Sequence, residues 1–282
     1  QSTKFIDYRK KMDIFKKTIN ETVKLLIDFY LIIFFLFKKK NNQDDFLILT
    51  GSDSTHFNSL VNLLTSISKY EKNTKVKIFN LGLTNEEKNY LLNNFDYKLV
   101  DFEFNKYPEF VSRRDEFNKL GSYSWKPIII YEEYKKNTKN LIWLDAGCLI
   151  NKNLKLIKNI ILKNGFYSPQ SSDNVKRWTH ESTLVKLKVP KDFYKKRNIS
   201  GGICGFSQNS TLISNLISDW YKYSINEEII SPPGSSRLNH RQDQALLTLL
   251  VHFYKLSTTT PRGHNIFGIL RHQDDEEYKY LQ

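Results

Sequence analysis

The sequence predicts an α/β fold: a mostly parallel central sheet flanked by helices, behind an N-terminal helical extension. Three observations carry the prediction. Between residues 46 and 102, short apolar runs alternate with stretches of helical periodicity in a β-α-β-α-β pattern, which feeds a parallel sheet through crossover helices. Leu141, Ile142, Trp143 and Leu144 form a continuous apolar run, as expected of a strand buried on both faces. Finally, 282 residues with 40% apolar and 14% aromatic side chains suffice for a substantial core and exclude general disorder.

The extension covers residues 1–43, ahead of a larger domain over 44–282. Leu25 to Phe37 is almost wholly apolar, broken by Asp28, and runs into Lys38-Lys39-Lys40. It falls short of the about 20 apolar residues of a spanning helix and lacks the small-residue cleavage site of a secretory signal. Two readings stay open: a helix packed on the domain, or one lying peripherally at a membrane surface beside its lysines.

Phe46 to Thr50 reads as the first strand, with Gly51-Ser52-Asp53-Ser54 as its turn. Phe57 to Ile67 reads as a helix with Phe57, Leu60, Val61, Leu64 and Ile67 on one face. Val76 to Leu81 is a second strand, and Thr84-Asn85-Glu86-Glu87 supplies an N-cap and an acidic first turn to the next helix. Lys98 to Phe102 makes the third strand. A strand followed by a Gly/Ser/Asp turn and a helix suits a nucleotide, because turn amides and helix N-termini offer donors to an anion. A further helix begins near Ile128, with Pro127 in its first turn. Lys126 at its entry is either a surface lysine or a phosphate contact.

That helix leads into the pivotal strand, which ends in Asp145-Ala146-Gly147. A carboxylate thus stands at the C-terminal edge of a buried strand, where open α/β sheets bind ligands. The bland alternative is a turn-bracing Asp. Asn164 to Arg177 is polar, and Trp178-Thr179-His180 reads as part of a mobile or acceptor-facing loop. Adjacent Gly201 and Gly202 open an apolar strand, as a tight turn or a close backbone approach requires. Ser210 to Tyr223 is a structural helix. Asp243 and Gln244 then enter a strongly apolar helix, Ala245 to Val251. Asp243 either complements the helix dipole or, with Gln244, faces a reaction centre. In the tail, Arg262, His264, Arg271 and His272 share a Gly-punctuated loop that can close over a diphosphate, which arginine binds well.

The net charge of +13 comes from lysines scattered through the chain. No RNA-binding aromatic signature or zinc-finger spacing accompanies them, so nucleic acid is not expected as a partner. The charge suits anionic nucleotides or an anionic membrane face. Cys148 and Cys204 are the only cysteines and lie in apolar segments. Two buried thiols without a CxxC point to a reducing compartment, hence to the cytoplasm or the cytoplasmic face of a membrane.

Taken in order, these pieces resemble a nucleotide-sugar glycosyltransferase of the GT-A fold, most nearly the glycogenin-like family 8 enzymes, over residues 45 to 275. The family's first strand and loop resemble Leu47 to Asp53, and its Leu-Asp-Ala-Asp signature resembles Leu144-Asp145-Ala146-Gly147. Its small-residue strand resembles Ser200-Gly201-Gly202-Ile203, and its Asp-Gln helix entry resembles Asp243-Gln244. The closing His-Gly-Lys loop is echoed by His264, Gly268 and Arg271.

The resemblance implies transfer of a sugar from a nucleoside-diphosphate sugar, a UDP-sugar first among them, to a hydroxyl of a glycan, lipid or protein, with retention favoured over inversion. Thr50, Gly51 and Asp53 would hold the nucleoside, Lys126, Asp145, Arg262 and Arg271 the diphosphate, and Gly201 and Gly202 the close wall of the donor pocket. Asp243 and Gln244 would carry the chemistry. Mn²⁺ or Mg²⁺ would sit on Asp145 and His264. One departure bears on that ion: the family's second acidic ligand is Gly147 here, and either a depleted metal site or cationic stabilisation by Lys126, Arg262 and Arg271 follows. Two rival readings remain, a nucleotidyltransferase and a catalytically inactive binding or scaffold module. The first would carry a Gly-rich basic loop after its first strand, and Gly51-Ser52-Asp53-Ser54 is neither.

Overall fold

The computed structural model describes residues 46–114, 120–136, 138–208, 210–258 and 267–270, together with Thr22, Val23, Leu26, Phe29, Tyr30 and Ile33. The chain divides into two units, Gln1–Lys40 and Asn41–Gln282. In the first, Val23, Leu26, Phe29, Tyr30 and Ile33 are helical and exposed. Among the described residues, no helix is long and apolar enough to cross a membrane.

The second unit begins with β1, Phe46–Ser52, all seven residues of which are buried. Helix α1, Phe57–Tyr70, buries Leu60, Val61, Leu64 and Ile67, the stripe set by the 3.6-residue period, and Leu63 beside it. Strand β2 is Lys75–Asn80. Helix α2, Asn85–Asn94, starts in a capping box: Thr84 Oγ1 accepts from the Glu87 amide at 3.2 Å, and Glu87 Oε2 accepts from the Thr84 amide at 2.8 Å. Strand β3 is Lys98–Asp101, helix α3 is Trp125–Lys136, and β4 is Asn140–Leu144, buried throughout.

The second half is more broken. It holds β5 (Leu149–Ile150), α4 (Lys155–Asn164), β6 (Phe166–Tyr167), β7 (Gln170–Asn174), α5 (Val175–Trp178) and α6 (Glu181–Lys186). There follow β8 (Arg197–Ile199), β9 (Ile203–Phe206), α7 (Thr211–Ser224), α8 (Glu227–Ile230), α9 (Gln242–Phe253) and β10 (Ile269–Leu270).

The main sheet has six strands in the order β3-β2-β1-β4-β9-β6. β1 runs parallel to both β2 and β4, and β2 runs parallel to β3. β9 is antiparallel to β4 and to β6. The expected mostly parallel sheet is therefore present, with an antiparallel edge. Trp143, Phe206, Trp220, Leu246 and Leu247 share one fully buried cluster, so α7 and α9 are fixed on the sheet by apolar burial, the main favourable term in folding.

Candidate active site

The sheet order fixes where a ligand can enter. From β1 the chain winds out to β2 and β3 on one side, while β4 lies on the other, so a crevice opens beyond the C-terminal ends of β1 and β4. Asp53 is the residue after β1, and Asp145 the residue after β4. Both line a cleft of about 650 Å³. Because β9 pairs antiparallel to β4 with Ile203 opposite Leu144, the residues that precede β9 arrive at the same edge. Ser200, Gly201 and Gly202 thus form one wall, and the first turn of α9 adds Asp243 and Gln244.

Lys126, in the first turn of α3, is the centre of this arrangement. Its Nζ lies 3.0 Å from Asp145 Oδ1 and 3.0 Å from Asp243 Oδ2, and donates to the Gly201 carbonyl at 3.3 Å. Its side chain is 4% exposed, that of Asp243 5%, and that of Asp145 40%. Burial alone would lower the Lys126 pKa, but the two carboxylates outweigh it and hold it above the ordinary lysine value. Burial pushes the Asp243 carboxyl up to about 6, against the pull of Lys126 and with the help of the Asp145 charge. Trp143 Nε1 donates to Asp145 Oδ1 at 2.6 Å, and Trp220 Nε1 on α7 donates to the Asp243 carbonyl at 3.0 Å. Each aspartate is therefore located by a buried indole.

The paired glycines answer to close approach. A Cβ on Gly202 would stand 2.6 Å from Asp145 Oδ2, and one on Gly201 would stand 3.0 Å from Gln244 Cβ and 3.2 Å from Asp243 Oδ2. The Asp145 amide in turn donates to the Gly202 carbonyl at 2.9 Å. Gly202→Ala is expected to push the Asp145 carboxylate out of its place while leaving the sheet intact. A thermal melt close to wild type with ligand affinity lowered by about tenfold, roughly one lost charge-assisted hydrogen bond, is the expected pair of results. Unchanged affinity would show that Asp145 placement does not matter to binding.

On the β1 side, Asp53 Oδ1 accepts from the Thr55 amide at 3.1 Å and from Thr55 Oγ1 at 2.6 Å, while Arg114 Nη2 donates to Oδ2 at 2.8 Å. Burial alone would raise this carboxyl, yet contacts from His56, Thr55 and Arg114 outweigh it and keep it well below the usual carboxylate range. The loop entering α9 is tied by His240. Its Nδ1 accepts from the His180 amide at 3.1 Å, so Nε2 carries the proton and donates to the Ile230 carbonyl at 2.9 Å. Burial pulls its pKa down to about 4, which keeps the ring neutral.

The sequence-derived site residues divide as follows. Gly51, Asp53, Lys126, Asp145, Gly201, Gly202, Asp243 and Gln244 all line the cleft. Thr50 does not. β1 runs through Ser52, two residues past the expected end of the strand, and Thr50, expected as its last residue, is interior to it, fully buried, with its hydroxyl unpaired. Lys126 is not a surface lysine: it is a buried counterion to two carboxylates and lines the cleft. Trp178 lines the cleft from the end of α5 instead of belonging to a loop. Arg262, His264 and Arg271 lie outside the described residues. Sequence reading missed Arg114, Tyr123, Arg237 and Arg241; each comes from an irregular segment whose path no periodicity reveals.

Among the described residues the donor set does not fit a divalent ion. Such ions take several oxygen ligands, whereas Asp145 already meets Lys126 and Trp143, and position 147 offers no side chain. Among the described residues no group of three His, Cys, Asp or Glu side chains could hold a metal.

Comparison with known proteins adds the following. A family model described as a protein of unknown function, DUF1647, matches residues 6–131. No curated protein sequence matches the chain. Among solved structures, the WbbM bifunctional glycosyltransferase in its apo form is similar with a TM-score of 0.53 at 14% identity, over 80% of this chain and 40% of that one. The galactosyltransferase LgtC, in complex with donor and acceptor sugar analogues, gives 0.48 at 15% identity over 72% and 70%. Mouse xyloside xylosyltransferase 1, apo form, gives 0.47 at 11% over 76% and 83%. The chain thus spans less than half of the bifunctional enzyme, and what it shares with that enzyme is the GT-A-like fold.

Proposed function

We propose that this chain is a glycosyltransferase that moves a sugar from a nucleoside-diphosphate sugar, a UDP-sugar by preference, to an acceptor hydroxyl. The observation that carries the reading is the Asp145–Lys126–Asp243 cluster at the strand-order reversal of a glycosyltransferase-type sheet, with Gln244 beside it in the cleft. Perturbed titratable groups gathered in a cleft mark a reaction centre more often than a structural brace.

In this scheme Gly51 and Asp53 meet the nucleoside and Asp145 orients the donor. Arg262 and Arg271, assigned on the sequence alone, neutralise the diphosphate. The bond between the anomeric carbon and the diphosphate oxygen breaks, the acceptor oxygen bonds to that carbon, and the acceptor proton passes to the departing phosphate oxygen. Asp243 is held on the Lys126 ammonium. Its charge, with the neutral Gln244 amide, suits the positive charge that develops on the sugar, which favours retention. No step is routed through a metal.

Calorimetric titration of UDP, GDP and their sugars, with Mn²⁺ and with a chelator, tests the reading together with a donor screen for nucleotide release. The expected result is binding of at least one nucleoside diphosphate, with the chelator changing affinity by less than about threefold, under a kcal/mol, and release of nucleotide from one donor. A scaffold would bind none, and a nucleotidyltransferase would release pyrophosphate from a nucleoside triphosphate.

A further inference from the structure

The cations of the cleft fall into two kinds. Lys126 is neutralised by Asp145 and Asp243, and Arg114, which pairs with the cleft-lining Asp53, by that carboxylate. Arg237 and Arg241 also line the cleft, and among the described residues neither meets a carboxylate. They are not loose surface charges. The Arg241 guanidinium lies 4.1 Å from the centre of the Trp178 ring, its amide donates to the Trp178 carbonyl at 3.0 Å, and the next residue, Gln242, adopts φ 39°. That φ is unusual for a side-chain-bearing residue and marks a backbone held by its surroundings. Arg177 stacks on the same ring at 4.4 Å and donates to the Leu238 carbonyl at 2.9 Å. Arg237 stands 6.0 Å from the Tyr123 ring. Arg241 is partly buried, and burial together with repulsion from Arg237 and Arg177 lowers its pKa. Two cleft-lining guanidinium groups, with a third stacked behind them on Trp178 and no carboxylate paired with them among the described residues, suit the binding of an anion.

The position selects which anion. The nucleoside side of the cleft is built from the β1 and β2 connections, Gly51, Asp53, His56 and Leu81. Arg237, Arg241 and Trp178 come from the later half of the chain, as do Asp243 and Gln244, with which they line the cleft. A guanidinium fork binds an oxyanion with two parallel hydrogen bonds, and the Trp178 ring holds the Arg241 fork in place.

We propose that Arg237 and Arg241, which line the cleft with Asp243 and Gln244, form an acceptor subsite for a sugar that carries a negatively charged group, a phosphate or a carboxylate. The acceptor role rests on the glycosyl-transfer reading above; the anion selectivity does not. The test titrates glucose, glucose 6-phosphate, glucuronate and UDP into wild type, Arg237→Gln/Arg241→Gln, and a surface control, Lys222→Gln. Wild type should bind one or both charged sugars at least about tenfold more tightly than glucose, the least a charge-assisted fork contributes. The preferred charged sugar, phosphate or uronate, names the source of the anion. The double variant should lose that margin while UDP affinity stays within about threefold, and the control should behave as wild type. Should the double variant melt early, Arg237→Gln alone, which gives up no tight packing contact, reads out the same loss.

Equal affinity for glucose and both charged sugars in wild type overturns the proposal. So does a fall in UDP affinity matching that for the sugar acids, which would assign the arginines to the donor's diphosphate. Absence of any nucleoside diphosphate binding by wild type would instead strike the glycosyl-transfer reading, and the charged-versus-neutral margin would still be measured directly.

Discussion

Asp243→Asn is expected to lower sugar transfer by about a thousandfold, the upper range for removing one electrostatic stabiliser from a reaction centre, while nucleotide affinity stays near wild type. The substitution keeps shape and removes charge. The Trp220 hydrogen bond goes to the backbone carbonyl and is retained, so the first turn of α9 stays in place. The pH dependence follows from the raised carboxyl. Asp243 is protonated below about pH 6, and wild-type turnover should therefore fall as pH drops through that value. The stability sign is opposite. A carboxyl raised from its ordinary 3.8 contributes most below that value and loses the contribution as pH rises through about 6, so at pH 7 the ionised group is a burden that Asn lifts in part. Steady-state rates, calorimetry and melts from pH 5 to 8 check all three. Transfer that survives in the variant, or an acid limb that persists in it near pH 6, removes Asp243 from the chemistry.

Lys126→Met is expected to cost about 3–5 kcal/mol of stability at pH 8, the range for breaking one side of a buried ion pair. Two carboxylates would face each other without their shared counterion. The Asp243 carboxyl, which Lys126 pulls down in the native protein, would rise further. The deficit should shrink at pH 5, where Asp243 is protonated and the repulsion is gone. Combining Lys126→Met with Asp243→Asn should recover part of the loss, because the pair acts as a unit. Urea unfolding of the four proteins at both pH values is the measurement. Equal deficits at pH 5 and 8, with additive effects in the double variant, would mean that Lys126 stabilises through packing and not as a counterion.

The regular half of the molecule was legible in the sequence because local signals and the fold agree there. The alternation over residues 46–102, the Thr84 cap and the apolar run at Leu141 to Leu144 each became the element expected. The turn after β1 was placed two residues early, since Gly51 and Ser52 look like turn residues while parallel pairing with Phe79 and Asn80 keeps them extended. Tertiary pairing overrode propensity, and Thr50 is interior to the strand where the sequence put it at the end. Asp145, Asp243 and the two glycines were legible as a set, but the role of Lys126 was not. Its partners lie on two elements far along the chain, and only the antiparallel placement of β9 brings the Gly201 carbonyl to its ammonium. The arginines left no sequence signal because their meaning is the absence of an acidic neighbour, a property of space and not of order.

The indole of Trp220 ties the interior to the reaction centre more tightly than its depth suggests. A side chain that fills the space between a helix and the sheet also decides where a carboxylate begins, so a repacking that the core tolerates can still silence turnover. Loss of catalysis and loss of folding are consequently not separate hazards along α7, and the first would be noticed well before the second.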